Sequence, residues 1–178
     1  YAFVNDLAML ELTRALRVSI GFALESRYNI APTNMVPVIQ AVGGGLQMDL
    51  KRWGLVAPWE QHAPKPHKSF DARAETVAEK KSFRSAFKSR RCLIPVSGFF
   101  EWRTEGKIKH PHYIYRTDEK PMLFAGIYEP WAPPEAEATD TVALLTTEPN
   151  SLIATIHTRM PVILPWDTWR VGISWPHW

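Results

Sequence analysis

The chain lacks the covalent staples that many small folds rely on. Cys92 is its only cysteine in 178 residues, so no internal disulfide can form and no thiol quartet exists for a structural zinc site. That usage fits a reducing cytoplasm. No apolar run reaches the roughly 18 residues a membrane-spanning helix needs, and residues 1–20 carry Asn5, Asp6, Glu11, Arg14 and Arg17, a composition wrong for a signal segment. A soluble protein with no membrane partner is expected. Neither G-x-x-x-x-G-K-[ST] nor G-x-G-x-x-G occurs, so no glycine-rich phosphate cradle is present. Ser97 in "VSGFF" lacks the flanking glycines of a nucleophile elbow.

Proline, by contrast, is in excess. The 15 prolines exceed the usual share of about 5% and predict many turns and strand edges, and few long helices. A chain of this length is long enough to bury roughly 70% of the surface its unfolded form exposes, and one domain over 1–178 is the expectation. The net charge of +3 is unevenly spread: "KKSFRSAFKSRR" (80–91) holds six Lys or Arg and no acid. Such a segment could meet phosphates. It reads equally well as a solvated helix face with Phe83 and Phe87 turned to the core.

The pattern along the chain is mostly that of strands. "NDLAMLELTRAL" predicts a short helix at about 6–16, capped by Asn5 or Asp6. "MVPVIQAV" and "LQMDLKRWGLV" flank Gly43-Gly44-Gly45 and read as a hairpin, with Pro58 ending the second ladder. A second helix is predicted over 76–88, where Phe83 and Phe87 form an i, i+4 pair. Four further runs, "RCLIPVSGFFEWR", "HYIYRT", "MLFAGIYE" and "TVALLTT", suggest antiparallel strands, and "WAPPEAEATD" (131–140) reads as a surface loop. The sum is an α+β, β-rich single domain, either an open antiparallel barrel or packed sheets with a few flanking helices.

Several titratable residues stand at the ends of apolar runs, where burial perturbs proton affinity. Glu101, between Phe100 and Trp102, faces either solvent or an aromatic pocket, and the rarity of buried glutamate favours solvent. His157 is an acid/base candidate by its ordinary pKa, although a lone histidine is more often structural. Asp71, Arg73 and Glu75 in "FDARAET" read as a loop with local ion pairs. Histidines 62, 67, 110 and 112 include "HPH", yet no acidic partner completes a metal set, and no metal or cofactor is expected. Cys92 follows two arginines that could lower its pKa, but a cysteine entering "CLIPV" reads as a buried core residue.

Weighed singly these signals are weak; their order is not. "RYNIAPT" (27–33), "WGLVAPW" (53–59), "DARAET" (71–76), "RRCLIPVSGFFEW" (90–102) and "IHTRMPVIL" (156–164) resemble, in sequence and spacing, the motifs of the SRAP family, the SOS-response-associated peptidase-like proteins. The resemblance runs across at least residues 1–165.

It implies a sensor of abasic sites in single-stranded DNA. In the family, removal of the initiator methionine by self-cleavage exposes an N-terminal cysteine, whose amine and thiol close a thiazolidine on the lesion aldehyde. That cysteine is expected a few positions ahead of Tyr1. By position, Glu101, His157 and Asp71 match the catalytic residues, Asp71 standing where the family motif usually has asparagine. Arg73 and Arg159 match phosphate-contacting positions, while Asn29, Pro32, Trp59 and Trp102 resemble DNA-facing and stacking residues. The resemblance further implies a monomer that works in the cytoplasm, near the bacterial nucleoid. Two alternatives remain: a non-covalent single-stranded DNA-binding module, supported by Asp71, and an ordinary peptidase, for which no triad or metal set is visible.

Overall fold

In a computed structural model, residues 2–5, 8–60, 69–134 and 137–168 are described. The first half holds β1 (Ala2–Asn5), α1 (Ala8–Leu16), β2 (Val18–Ile20), β3 (Arg27–Ile30), β4 (Met35–Val42), β5 (Gly45–Trp53), β6 (Asp71–Arg73) and α2 (Arg84–Ser89). The second holds β7 (Arg91–Val96), β8 (Gly98–Glu105), β9 (Ile108–Tyr115), β10 (Met122–Trp131), β11 (Thr139–Thr147), a 3-10 turn (Ile153–Thr155), β12 (Met160–Pro161) and β13 (Ile163–Leu164). The domain is β-rich with two short helices, as expected.

Five strands, β11, β10, β7, β4 and β5, pair in succession and close into a barrel through a parallel pair, Thr141 to Arg52 and Val142 to Trp53. The expectation of antiparallel pairing therefore holds for most of the ring and fails at its seam. A second, four-stranded sheet has the order β3-β1-β8-β9. The run "RCLIPVSGFFEWR" is not one strand: it bends at Ser97, giving β7 to the barrel and β8 to the small sheet.

The barrel strands are apolar on both faces because both faces are covered. Val36, Val38, Trp53, Ile94, Phe124, Val142 and Leu144 fill one cluster, which includes Phe99 of the small sheet. The opposite face of the same strands presents Ile39, Met48, Leu93 and Leu123 to Met9, Leu12 and Leu16 of α1. Ala125, Ile127, Ala143 and Leu145 meet Val77, Ala86, Phe83 and Phe87. Continuous apolar runs are the expected signature of strands buried on two sides.

Two local expectations need correction. The helix predicted over 76–88 is confined to α2; residues 74–79 and 81–83 form turns. Val77 and Phe83 both reach the core, but their spacing is none of i+3, i+4 or i+7, so one straight helix cannot turn both inward. Likewise, the ladder of β5 ends before Pro58: Gly54, at φ +130°, turns the chain directly after Trp53 into a conformation that favours glycine. The described part of the first helix, from Ala8, agrees with its prediction, while Asp6 and Leu7 lie outside the described residues.

Phe124 links the two sheets, its fully buried ring meeting Phe99 edge-on at 5.5 Å and 80°. Phe124→Ala is expected to lower unfolding free energy by about 3–5 kcal/mol, measured as a shift in the denaturant midpoint at unchanged slope.

Candidate functional site

β11 organises the surroundings of the predicted site residues. Once β5 ends, β6 takes up the parallel ladder, with Asp71 opposite Leu144 and Arg73 opposite Thr146. On the other side of β11, Thr146 pairs with Pro161 of β12. Thr146 thus lies between the "DAR" segment and the segment carrying His157 and Arg159, which are far apart in sequence.

Glu101 is not solvent-facing, contrary to the expectation from its neighbours. It is 4% exposed, on the same face of β8 as Phe99, which packs into the barrel cluster. Its Oε1 accepts a long hydrogen bond from the Trp102 amide at 3.4 Å and lies 3.7 Å from His157 Nε2. Its Oε2 is buried and has no hydrogen-bond partner among the described residues. An unmet buried carboxylate oxygen costs about 1–3 kcal/mol or more, so this oxygen calls for a partner: water, a ligand or a reacting group.

His157 follows the 3-10 turn, its amide bonded to the Ile153 carbonyl at 2.8 Å. Its Nδ1 lies 3.2 Å from the Arg159 amide and 3.1 Å from the Arg159 carbonyl. These contacts fix the ring with Nε2 toward Glu101 and leave it half-buried, where it can exchange protons with a bound molecule.

Arg159 is engaged on two sides. Its Nη1 and Nη2 donate to Glu75 Oε1 and Oε2 at 3.0 and 2.9 Å, and Nη2 also donates to the Thr146 carbonyl at 2.6 Å. Glu75 therefore pairs across the fold, where the sequence suggested only local ion pairs. The Arg159 hydrogen bonds hold the Glu75 carboxyl below the usual carboxylate range. Asp71 is half-buried, and burial raises its pKa against the opposing charges of Arg159 and Arg73. Arg73 is exposed.

The remaining predicted residues are more scattered. Asn29 is exposed on β3 and Pro32 half-buried just beyond it. Asn34, which the sequence reading passed over, pins that turn: its Oδ1 accepts from Arg27 and from the Ala31 amide, both at 3.2 Å. Trp59 is exposed and carries the Lys81 ammonium 4.9 Å from its ring centre. Trp102 is half-buried, 6.5 Å from Phe100. The basic run is partly drawn into the fold, since Arg90 pairs with buried Glu129 at 2.7 Å.

The place of His112 beside Glu101 was not foreseen either. The β8–β9 register places it directly across from Glu101, and its Nε2 is buried without a hydrogen-bond partner among the described residues. Only the register of the hairpin reveals this neighbour, because "HPH" read along the chain resembles a metal fragment. No metal-binding cluster occurs among the described residues, which exclude His62 and His67. A cavity of about 440 Å³ bounded by Asp49, Lys51, Trp131 and Asp140 holds none of the predicted site residues. Cys92 is buried, and burial pushes its thiol pKa far up, in keeping with a core role.

Two outcomes follow from these placements. Native protein should resist alkylation at Cys92 and react once unfolded, as read by mass spectrometry of the treated chain. Asp71, with its folded pKa raised above the unfolded value, lowers stability at pH above that raised value, and the cost fades as pH falls below the ordinary aspartate range. Asp71→Asn should accordingly stabilise the protein in neutral buffer and lose that advantage in acid, measured by denaturant midpoints at the two pH values.

The chain is 42% identical over 138 residues to the abasic site processing protein YoqW of Bacillus subtilis, covering 77% of this chain and 62% of that protein. It is 40% identical to YoaM of the same bacterium, over 79% of this chain and 62% of the relative. Abasic site processing protein YedK of Escherichia coli is 30% identical, over 78% and 60%. The chain thus spans about 60% of the length of these relatives. A crystal structure of a protein from Bacteroides thetaiotaomicron superposes with a TM-score of 0.84 at 28% identity, covering 97% of this chain and 81% of the other. Residues 3–175 match the model of the SOS response associated peptidase (SRAP) family, and the chain belongs to that family.

Proposed function

We propose that this chain forms the core of a protein that recognises abasic sites in single-stranded DNA and couples to them covalently. The observation that carries the reading is Glu101: a buried carboxylate with one unpartnered oxygen and an imidazole 3.7 Å from the other. The names of the relatives, abasic site processing proteins, support the substrate.

The chemistry requires an α-amine and a thiol on one residue, the N-terminal cysteine that the family resemblance implies. The neutral amine attacks C1 of the ring-opened sugar aldehyde, giving a carbinolamine. Loss of water yields an imine, and addition of the thiol to the imine carbon, with its proton passing to nitrogen, closes the thiazolidine. An α-amine has a pKa near 8, so a useful fraction is neutral at cellular pH. Glu101 is suited to accept the proton released by the attacking amine, and half-exposed His157 to protonate the departing hydroxyl. The same two groups suit self-removal of the initiator methionine. Arg73 and Arg159 supply guanidinium forks for the strand's phosphates, and exposed Trp59 with half-buried Trp102 offers ring faces on which unpaired bases can stack. Because backbone and aldehyde are recognised rather than base edges, binding should show strong salt dependence and little sequence preference.

The test uses protein with its natural N-terminus, incubated with single-stranded DNA bearing one abasic site. A heat-stable adduct is expected by denaturing electrophoresis and mass spectrometry, and none on intact DNA. Glu101→Ala or His157→Ala should slow its formation by about a hundredfold. Unmodified protein after prolonged incubation would overturn the proposal.

A further inference from the structure

The pair between Glu75 and Arg159 has the geometry of a phosphate seat already filled. A guanidinium grips carboxylates and phosphates with the same two-pronged fork, and here both prongs meet both oxygens of Glu75. The partners are unequally placed. The Arg159 side chain is 18% exposed, and its Nη2 is also anchored by the carbonyl and, at 3.3 Å, the hydroxyl of Thr146. Glu75 is 43% exposed and belongs to the run of turns after β6 rather than to a strand. The cation is thus fixed to β11 whether or not Glu75 is present, while the carboxylate is the outer, replaceable member. An anion approaching from solvent meets Glu75 first and can take its place without dislodging the arginine.

We propose that Glu75 is a built-in stand-in for a DNA backbone phosphate, holding the Arg159 fork in the free protein and yielding it to the strand. This rests on the reading of Arg159 as a phosphate ligand. Its consequence is a damped affinity at that position. Each phosphate that enters exchanges one charge-assisted fork for another, so the gain is only their difference, and the displaced carboxylate is left beside a polyanion. Free Arg159 would bind any intact strand more tightly. Arg159 held by Glu75 favours strands that gain contacts elsewhere in the site, above all at the lesion.

The experiment measures binding of a dye-labelled single-stranded oligonucleotide without a lesion, by anisotropy at several salt concentrations. It compares the unsubstituted protein, Glu75→Gln, Arg159→Gln and the double variant. Glu75→Gln should bind about fivefold more tightly, the scale expected for releasing one exposed ion pair. Arg159→Gln should cost more affinity in the Glu75→Gln background than alone, because the fork is then fully available. Glu75→Asp, which keeps the charge but withdraws it from the fork, should shift binding in the same direction by less. Unchanged unfolding midpoints confirm that the variants are folded. Weaker binding by Glu75→Gln, matching that of Arg159→Gln, would instead make Glu75 a residue that positions the arginine and would overturn the proposal. Equal affinity of Glu75→Gln and the unsubstituted protein would overturn it as well. Absence of any salt-dependent binding by the unsubstituted protein would overturn the phosphate reading beneath it.

Discussion

The parallel pairing of β11 with β5, continued by β6, is the contact on which the rest of the molecule depends. Antiparallel hairpins account for β4 with β5, β8 with β9 and β10 with β11, the first two joined by tight turns and the third by residues 132–138. Closing the barrel requires bringing together strands separated by about half of the chain, which costs loop-closure entropy before any contact repays it. The burial of Trp53, Val142 and Leu144 inside the closed ring offsets that cost. Where β5 stops at Gly54, the same edge of β11 becomes free to accept Asp71 to Arg73. The site's "DAR" segment is therefore held by the strand that seals the barrel, and its geometry inherits the rigidity of that seam.

Two charged groups, Lys51 of β5 and Glu101 of β8, are buried in different ways. Lys51 is almost fully buried in the barrel wall, yet it forms an ion pair with Asp140 and sits 4.4 Å from the centre of the Tyr128 ring. Its desolvation is compensated locally, as burial of a cation requires. Glu101 is buried to a similar degree and is compensated only in part. The lysine is satisfied where it stands, whereas the glutamate has one oxygen without a partner among the described residues. A barrel buried on both faces of its strands can tolerate such a local deficit, since apolar burial there stabilises the fold independently of the site.

Much of this was legible in the sequence, and the gaps have physical causes. The β4–β5 hairpin follows from alternating and apolar runs around three glycines, two of which, Gly43 and Gly44, adopt positive φ. The strands of the second half follow from their apolar content. The seam between β5 and β11 was not legible, because a parallel pairing leaves no turn to announce it. The burial of Glu101 was misjudged because alternation gives a face but not its surroundings; Phe99 on the same face goes to the core, and Glu101 goes with it. The neighbours of His112 and Glu75 were not foreseen for a related reason. Their partners are set by cross-strand register in one case and by an 84-residue separation in the other, and neither is visible as local spacing.

Glu75 and Glu101 together reverse the usual placement of carboxylates. Ordinarily the exposed acid is left to water and the buried one is paired. Here the exposed Glu75 has both oxygens in a guanidinium fork, while the buried Glu101 keeps an oxygen unbonded among the described residues. Each arrangement is costly or redundant in the free protein and sensible in a complex. On the proposed reading a phosphate would relieve Arg159 of Glu75, and an amine or hydroxyl would satisfy Glu101 Oε2. His157 and Arg159, separated by Thr158 alone, would on that reading meet the two kinds of group that a damaged strand presents, its charged backbone and its polar sugar. Because the Arg159 backbone holds His157 Nδ1, the imidazole and the guanidinium fork are fixed by the same short stretch of chain. Were the proposed DNA binding to move that stretch, the shift would be felt at Glu101 directly, through the 3.7 Å approach of His157 Nε2.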